Sequence, residues 1–452
     1  MFFRTPGRQE AGSLASSLDD LCFRGKGTSR QLLSWLVVRY DLQWFARGLP
    51  ANGQPVSSDR AVCVGGFMNA LSTFSRTVWI AGYLLGLATT SSVAADQVIK
   101  IGGLLPMSGP GSYFGAQDKQ GAELALDQVN KSGVNGYKFD IRYEDSACSP
   151  LPASQAAKRL IDEYEPDVLI GEECSDATLA IMPIIEQAKI PLINAGSSSI
   201  KITDPGNPWT FRIMPNEVMQ GVDIATNAYK RLNARTAVLL HENTNAGIGN
   251  AQVFADTFTK LGGKVLADIG FGRDVNDFTA IATRIAGMGD VDVIPTYTLE
   301  GQGLKITQAL MQAGVVKGGG GKAIQLGTIW LPFGFEQKAG EAAAGYIRIV
   351  QFDPTDQRPQ VRDFVQAFKT KFNSEPTHLN AHAYDQILLI ADVVRRGGKD
   401  AQSIRDTLAQ TKNFSGVTGS VEFDKTNQNV EMDTVHYMET KPDLSWTSLK
   451  WN

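Results

Sequence analysis

The residues of this chain best suited to chemistry are hydroxyls and glycines gathered in three short runs: Pro106–Gly115 (PMSGPGSYFG), Glu172–Asp176 (EECSD) and Asn194–Ser199 (NAGSSS). Ser175 stands where a helix is expected to begin. A helix N-terminus presents free backbone N–H groups at the positive end of its dipole, so Ser175 and its neighbouring amides could bind an anion. Gly196 lets backbone approach closely, and Ser197 or Ser198 can add a second hydroxyl. Together they form a neutral cradle for a carboxylate, although the same residue types also serve as helix caps and turns.

Catalytic constellations are missing. There are four histidines, no G-x-S-x-G elbow and no Walker-type loop; the Gly318–Gly321 run lacks the helix start and Lys-Ser/Thr that phosphate loops need. His378 and His382, four apart, could share a helix face, but no Glu follows His378 and no third ligand is near, so a metal is not expected. Glu172-Glu173 reads as a solvated rim rather than an acid/base pair. Neither enzymatic activity nor a cofactor is expected.

The elements that position these runs alternate. Val98–Leu105, Tyr137–Tyr143, Asp167–Gly171 and Ile190–Ile193 read as strands. Between them, Ala122, Leu124, Ala125, Leu126 and Val129 mark an amphipathic helix over Gln117–Asn130, and further helices surround Ala157–Tyr164 and Thr178–Gln187. Such alternation means βαβ units in a parallel sheet with helices on both faces. Ligands of these sheets bind beyond the carboxyl ends of the strands, where the three runs lie. After Phe211–Met214 the pattern restarts, with strands at Thr236–Leu240, Lys264–Ile269, Val291–Pro295 and Ala323–Leu326. A strand at Gly345–Gln351, helices at Val361–Phe372 and Leu379–Val394, and a β-rich tail from Thr418 follow. Helices after the second sheet need a surface to cover, which the first lobe offers, so the chain is expected to cross between lobes more than once and make a hinge.

The chain has 452 residues, but its start reads as targeting sequence. Arg76, the apolar run Val78–Leu87 (VWIAGYLLGL) and small residues at Ser92–Ala95 form a secretory signal peptide over 68–95; the run is shorter than the roughly 18 residues of a membrane span. Residues 1–67, with Cys22 and Cys63, read as a leader or an upstream start and are left out of the fold. The remaining stretch suits two lobes, 96–214 plus 350–430 and 215–349 plus 431–452. Residues 1–95 hold 9 of the 43 Lys and Arg and 5 of the 47 Asp and Glu, which leaves the remainder near −8. An acidic, exported chain without a basic stripe is a poor nucleic-acid binder. Its two cysteines, Cys148 and Cys174, point to a disulfide in an oxidising compartment, with two free buried thiols as the alternative.

The pieces IGGLLPMSGPGSYFG, DSACSP with GEECSDAT, IPLINAGSSS, WTFRIMPNE, and FVQAFKTKF followed by AYDQILLIAD give the region from Ile99 to about Trp451 a specific order and spacing. In these it resembles the leucine/isoleucine/valine-type (branched-chain amino-acid) periplasmic binding proteins of ABC importers, with an aromatic-acid-binding subgroup in view. The resemblance implies the type I periplasmic binding protein fold: two doubly wound parallel-sheet α/β lobes joined by three crossovers, closing on ligand like a flytrap. It implies a Cys148–Cys174 disulfide, a periplasmic location, permease subunits as partners and a monomer. Ser175, Gly196 and Ser198 become the partners of the ligand carboxylate.

The departures from that family are informative. The second-lobe acid that receives an ammonium in amino-acid binders falls at Ile329, beside Trp330. A tyrosine serving the same ammonium falls near Ala246. A further aromatic position lands near Leu299, with Tyr297 two residues away, and the tyrosine after the first strand is Phe114, next to Tyr113. A buried ammonium without a partner costs several kcal/mol, so α-amino acids are disfavoured. The expected cargo is an amine-free aromatic acid, benzoate-, hydroxycinnamate- or aryl-keto-acid-like, stacked by Phe114 and Trp330 with Tyr113, Tyr297 or Phe333 beside them. Each aromatic pair adds roughly 0.5–1.5 kcal/mol beyond burial. If Glu300 or Glu336 supplies the acid instead, the cargo is an aliphatic or neutral amino acid; a ligand-sensing receptor domain is the alternative from another class.

Overall fold

The computed structural model describes residues 97–327, 334–431, 435–449 and 451. The signal-peptide and leader readings, and Ile329, Trp330 and Phe333, lie outside these residues.

The first lobe is built as its apolar runs require. Strands β1 (Gln97–Leu105), β2 (Tyr137–Asp145), β3 (Val168–Gly171), β4 (Leu192–Asn194) and β5 (Thr210–Arg212) alternate with helices α1 (Ser112–Ser132), α2 (Pro150–Arg159) and α3 (Ser175–Ala188). All pairings are parallel, in the order β2-β1-β3-β4-β5. Ile99, Ile101 and Leu104 of β1 are fully buried because helices cover both faces. Each such side chain contributes roughly 1.5–3 kcal/mol relative to exposure.

The second lobe repeats the scheme with α4 (Glu217–Lys230), β6 (Thr236–Glu242), α5 (Asn245–Lys260), β7 (Lys264–Phe271), α6 (Thr279–Ala286), β8 (Val293–Tyr297), α7 (Glu300–Gln312), β9 (Ile324–Gly327), α8 (Phe335–Ala339) and β10 (Ile347–Val350). The chain then returns to the first lobe, where α9 (Pro359–Phe372), α10 (His378–Arg395) and α11 (Ala401–Leu408) join the core of the first sheet: Phe364, Ile387, Ile390 and Ile404 pack in one cluster with Ile99, Ile101 and Phe211. A small hairpin, β11 (Phe414–Ser415) and β12 (Ser420–Val421), precedes the last passage. Strands β13 (His436–Thr440) and β14 (Trp446–Leu449) close the second sheet as an antiparallel edge, in the order β14-β13-β10-β9-β8-β6-β7. This is a type I periplasmic binding protein fold with three crossovers. Among the described residues no helix is long and apolar enough to cross a membrane.

One close approach lies within the first lobe and another at the hinge. Gly121 of α1 faces the Asn380 backbone, where a Cβ would collide, so α1 and α10 pack at backbone distance. Arg212, fully buried at the first crossover, donates from Nε to Gln428 Oε1 at 2.6 Å, while Gln428 Nε2 donates to Met214 O at 2.8 Å. The first and third crossing segments therefore run bonded side by side.

Candidate functional site

The loops after β1, β3 and β4 converge on one side of a cleft, and the loops after β6, β7 and β8 face them from the second lobe. The space between them measures about 550 Å³, counting volume open to solvent. Phe114, Glu173, Ser175, Asp176 and Gly196 line the first-lobe wall. Glu242, Thr244, Ala246, Arg273 and Leu299 line the second, and His378 and Leu379 enter from the start of α10.

The first-lobe wall is assembled from turns. Gly171 has φ +100°, and a Cβ there would strike Leu104 O, so only glycine lets β3 end in this turn. Glu172 is then directed inward. Its carboxylate accepts from Cys174 N at 2.7 Å, and its backbone oxygen accepts from Asn194 Nδ2 at 2.7 Å and Ser197 Oγ at 2.8 Å. The Cys148–Cys174 disulfide, with Cα atoms 5.3 Å apart, fixes the loop to the start of α3. No side chain caps that helix, so its first amides and positive dipole end are left for the cleft. Ser175 Oγ accepts from Ser199 N at 3.2 Å, which leaves the hydroxyl proton to donate. Arg212 braces the same loop from behind through Ser197 O at 3.0 Å and Ser199 O at 2.6 Å.

The structure thus gathers Ser175, Gly196, Phe114, Ala246 and Leu299 around one cavity and places the other described candidates outside its lining. Ser197 is buried, its hydroxyl bonded to Glu172 O and, at 2.7 Å, to Thr178 Oγ1, so it is spent within the lobe. Ser198 Oγ accepts from Asn250 Nδ2 of the second lobe at 3.2 Å and is likewise outside the wall. Tyr297, fully buried, belongs to the second-lobe core. Tyr113 meets Phe114 edge-on at 6.2 Å but does not line the cavity.

Two expectations are corrected. Glu172 and Glu173 are not a solvated rim: Glu172 is fully buried by its own donors, and Glu173 keeps only partial exposure, its carboxylate filling the space a Cβ on Gly196 would need. Nor is the cleft without acids, since Glu173 and Glu242 both line it. Glu336, weighed as a cleft acid, pairs with Arg348 and is not in the wall. Glu242 ends second-lobe strand β6 and Arg273 follows β7, so the rule that singled out the carboxyl ends of first-lobe strands would have found them had it been applied to both sheets.

The acids are largely neutralised in place. Burial and then the Glu172 charge push Glu173 up to about 8, and burial followed by the Glu173 charge drives Asp118 well above the carboxylate range. At neutral pH this pair of carboxyls therefore retains a proton. Burial raises Glu172 to about 7. Glu242 lies 3.4 Å from Arg273 Nε and accepts from Thr298 Oγ1 at 3.2 Å. Asp176 Oδ1 accepts from Asn245 Nδ2 of the second lobe at 2.5 Å. Arg273 also reaches back across the cleft, donating to Cys148 O at 3.0 Å and approaching Asp176 Oδ2 at 3.9 Å. These contacts hold the two walls together.

Comparison with known proteins places this geometry. The family profile described as periplasmic binding protein matches residues 98–439. The leucine-, isoleucine-, valine-, threonine- and alanine-binding protein of Pseudomonas aeruginosa is 27% identical over 384 residues, 84% of this chain and 98% of that one. The branched-chain amino acid transporter substrate-binding protein LivJ of Streptococcus pneumoniae, solved with isoleucine, superposes with a TM-score of 0.71 at 27% identity, covering 78% of this chain and 99% of its own. A solute-binding protein of an ABC transporter from R. palustris, solved with benzoate, shares the fold with a TM-score of 0.70 at 22% identity over 78% and 95% of the two chains. With its two lobes, its three crossovers and an uncapped helix start in the cleft, the chain belongs to the periplasmic binding protein family and is a solute-binding protein of the branched-chain amino-acid ABC-transporter type.

Proposed function

We propose that the protein is exported through residues 68–95, captures a small carboxylate between its lobes in the periplasm and presents it to the permease subunits of an ABC importer. The preferred cargo is an amine-free aromatic acid of benzoate, hydroxycinnamate or aryl-keto type. The observation that carries this reading is Ser175: a hydroxyl with its acceptor side occupied, at an uncapped helix start, opening on the cleft. Gly196 backbone completes the cradle, and Phe114, Ala246, Leu299 and Leu379 supply an apolar wall for the body of the cargo. The nearby acids argue against a bound ammonium because each is already engaged: Glu173 sits beside Asp118 with a raised pKa, Glu242 is set against Arg273, and Asp176 is bonded to Asn245.

A second reading, a neutral amino acid, is favoured by one observation. Glu173 lies against Gly196 in the cavity wall, where an ammonium would ionise it. Titration calorimetry in two buffers of different ionisation enthalpy separates the two. Aromatic acids should bind with no net proton release. Tighter binding of leucine or valine, with about one proton released per cargo, would replace the first reading by the second. This fold accommodates both kinds of molecule, isoleucine in one structural neighbour and benzoate in another.

A further inference from the structure

His378 is a polar group in the cleft wall that the carboxylate site does not use. It is 3% exposed, its Nδ1 has no hydrogen-bond partner, and it lines the same cavity as Ser175. Its position is fixed. Thr377 and Asn380 form a reciprocal cap at the start of α10, and Asn380 Nδ2 donates to Gln117 O at 2.7 Å, locking that start against α1, which carries Phe114. His382 stands one turn along, its ring 6.4 Å away, and does not line the cavity. Burial, with His382 and Arg348 nearby, holds the His378 imidazole neutral, well below the usual histidine range.

A buried polar atom left unpaired carries its full desolvation cost, which a partner on the cargo would recover. The partner's chemistry is restricted. A cation is disfavoured beside Arg273 and Arg348, and a second anion beside Glu242. A hydroxyl both donates and accepts, so it matches a neutral imidazole in either tautomer. We propose that the cargo carries a hydroxyl on its body, remote from its carboxylate, and that the His378 imidazole bonds to it. The proposal rests on the reading that the carboxylate sits at Ser175, and it narrows the cargo to hydroxylated small acids of either class considered above.

The test measures affinities of matched pairs by calorimetry on the purified protein: benzoate against 3- and 4-hydroxybenzoate, and valine against threonine, which replaces a methyl by a hydroxyl. At least one hydroxylated member should bind about tenfold or more tightly than its partner, because a site built for a hydroxyl rejects the analogue lacking it. His378→Phe should shrink that ratio to about twofold or less, and His378→Gln should keep part of it; His378→Leu carries the same expectation as Phe if the larger ring prevents folding. Equal affinities within every pair, or a preference that survives both apolar variants, overturn the proposal. Ser175→Ala separates this from the underlying reading. If it leaves affinity unchanged while the His378-dependent preference persists, the carboxylate assignment fails alone; if no pair binds at all, both fail.

Discussion

At Ser175 one oxygen makes two commitments: its lone pair accepts the Ser199 N–H, and its proton is available to the cargo. Ser175→Ala should therefore weaken binding of the natural cargo by about tenfold or more, roughly 1.4 kcal/mol. The unliganded protein should lose only a few °C of thermal midpoint, since a single neutral hydrogen bond is removed; calorimetry and a melting curve check both halves. Glu173 belongs to the same scale. Its folded pKa, near 8, lies above the ordinary carboxylate value, so its contribution to stability is present at low pH and lost as pH rises through about 8. His378 and His382, held below the ordinary histidine value, act oppositely, losing their contribution as pH falls below about 6.5. Between about pH 6.5 and about 8.5 the melting temperature should thus decline, and Glu173→Gln should flatten that decline. A Gln variant with an unchanged slope would assign the alkaline loss to another group, with Glu172 the next candidate.

At the scale of elements, α3 and the disulfide act together. Cys174 is the residue preceding the helix, and the Cys148 carbonyl accepts from Arg273 across the cleft. Closing a loop with a sequence separation of 26 contributes roughly 3.5 kcal/mol in the chain-entropy model. Replacing both cysteines by serine should lower unfolding stability by about that amount in a urea titration and weaken cargo binding as well, because the helix tip and the Arg273 acceptor lose their anchor. Stability matching that of the native protein would show that the cross-link is dispensable to this lobe. The β1, α1, β3 and α3 elements were legible from local pattern, since apolar runs and 3.6-residue spacing are properties of contiguous residues. The inward turn of Glu172 was not, because its carbonyl is satisfied by Asn194 and Ser197, more than twenty residues away.

For the whole molecule, the informative contacts run between lobes: Arg273 to Cys148 and Asp176, Asn245 to Asp176, Asn250 to Ser198, and Lys201 to Asn245 at 2.7 Å. A cargo can shift the balance between open and closed forms only by binding one of them better, and these contacts already favour the closed one. Arg273→Ala should therefore open the ligand-free protein. Small-angle scattering would register a larger radius of gyration, returning toward the native value when cargo is added. An unchanged radius would mean that Arg273 does not hold the walls together.

The sequence by itself determined the two α/β lobes and the first-lobe loops that hold Ser175 and Gly196, because apolar runs and loop positions are patterns written along the chain; Phe114, Ala246 and Leu299 followed only from the resemblance to the branched-chain amino-acid binding proteins. Only the tertiary structure decided that Ser197 and Tyr297 turn away, that Glu173 and Glu242 face the cleft, and that His378 joins it from α10. The reason is physical: whether an ionisable or polar side chain is exposed, neutral or paired depends on segments far off in sequence, such as Arg212 against Gln428 or Glu242 against Arg273, and those meetings exist only once both lobes have folded around the hinge.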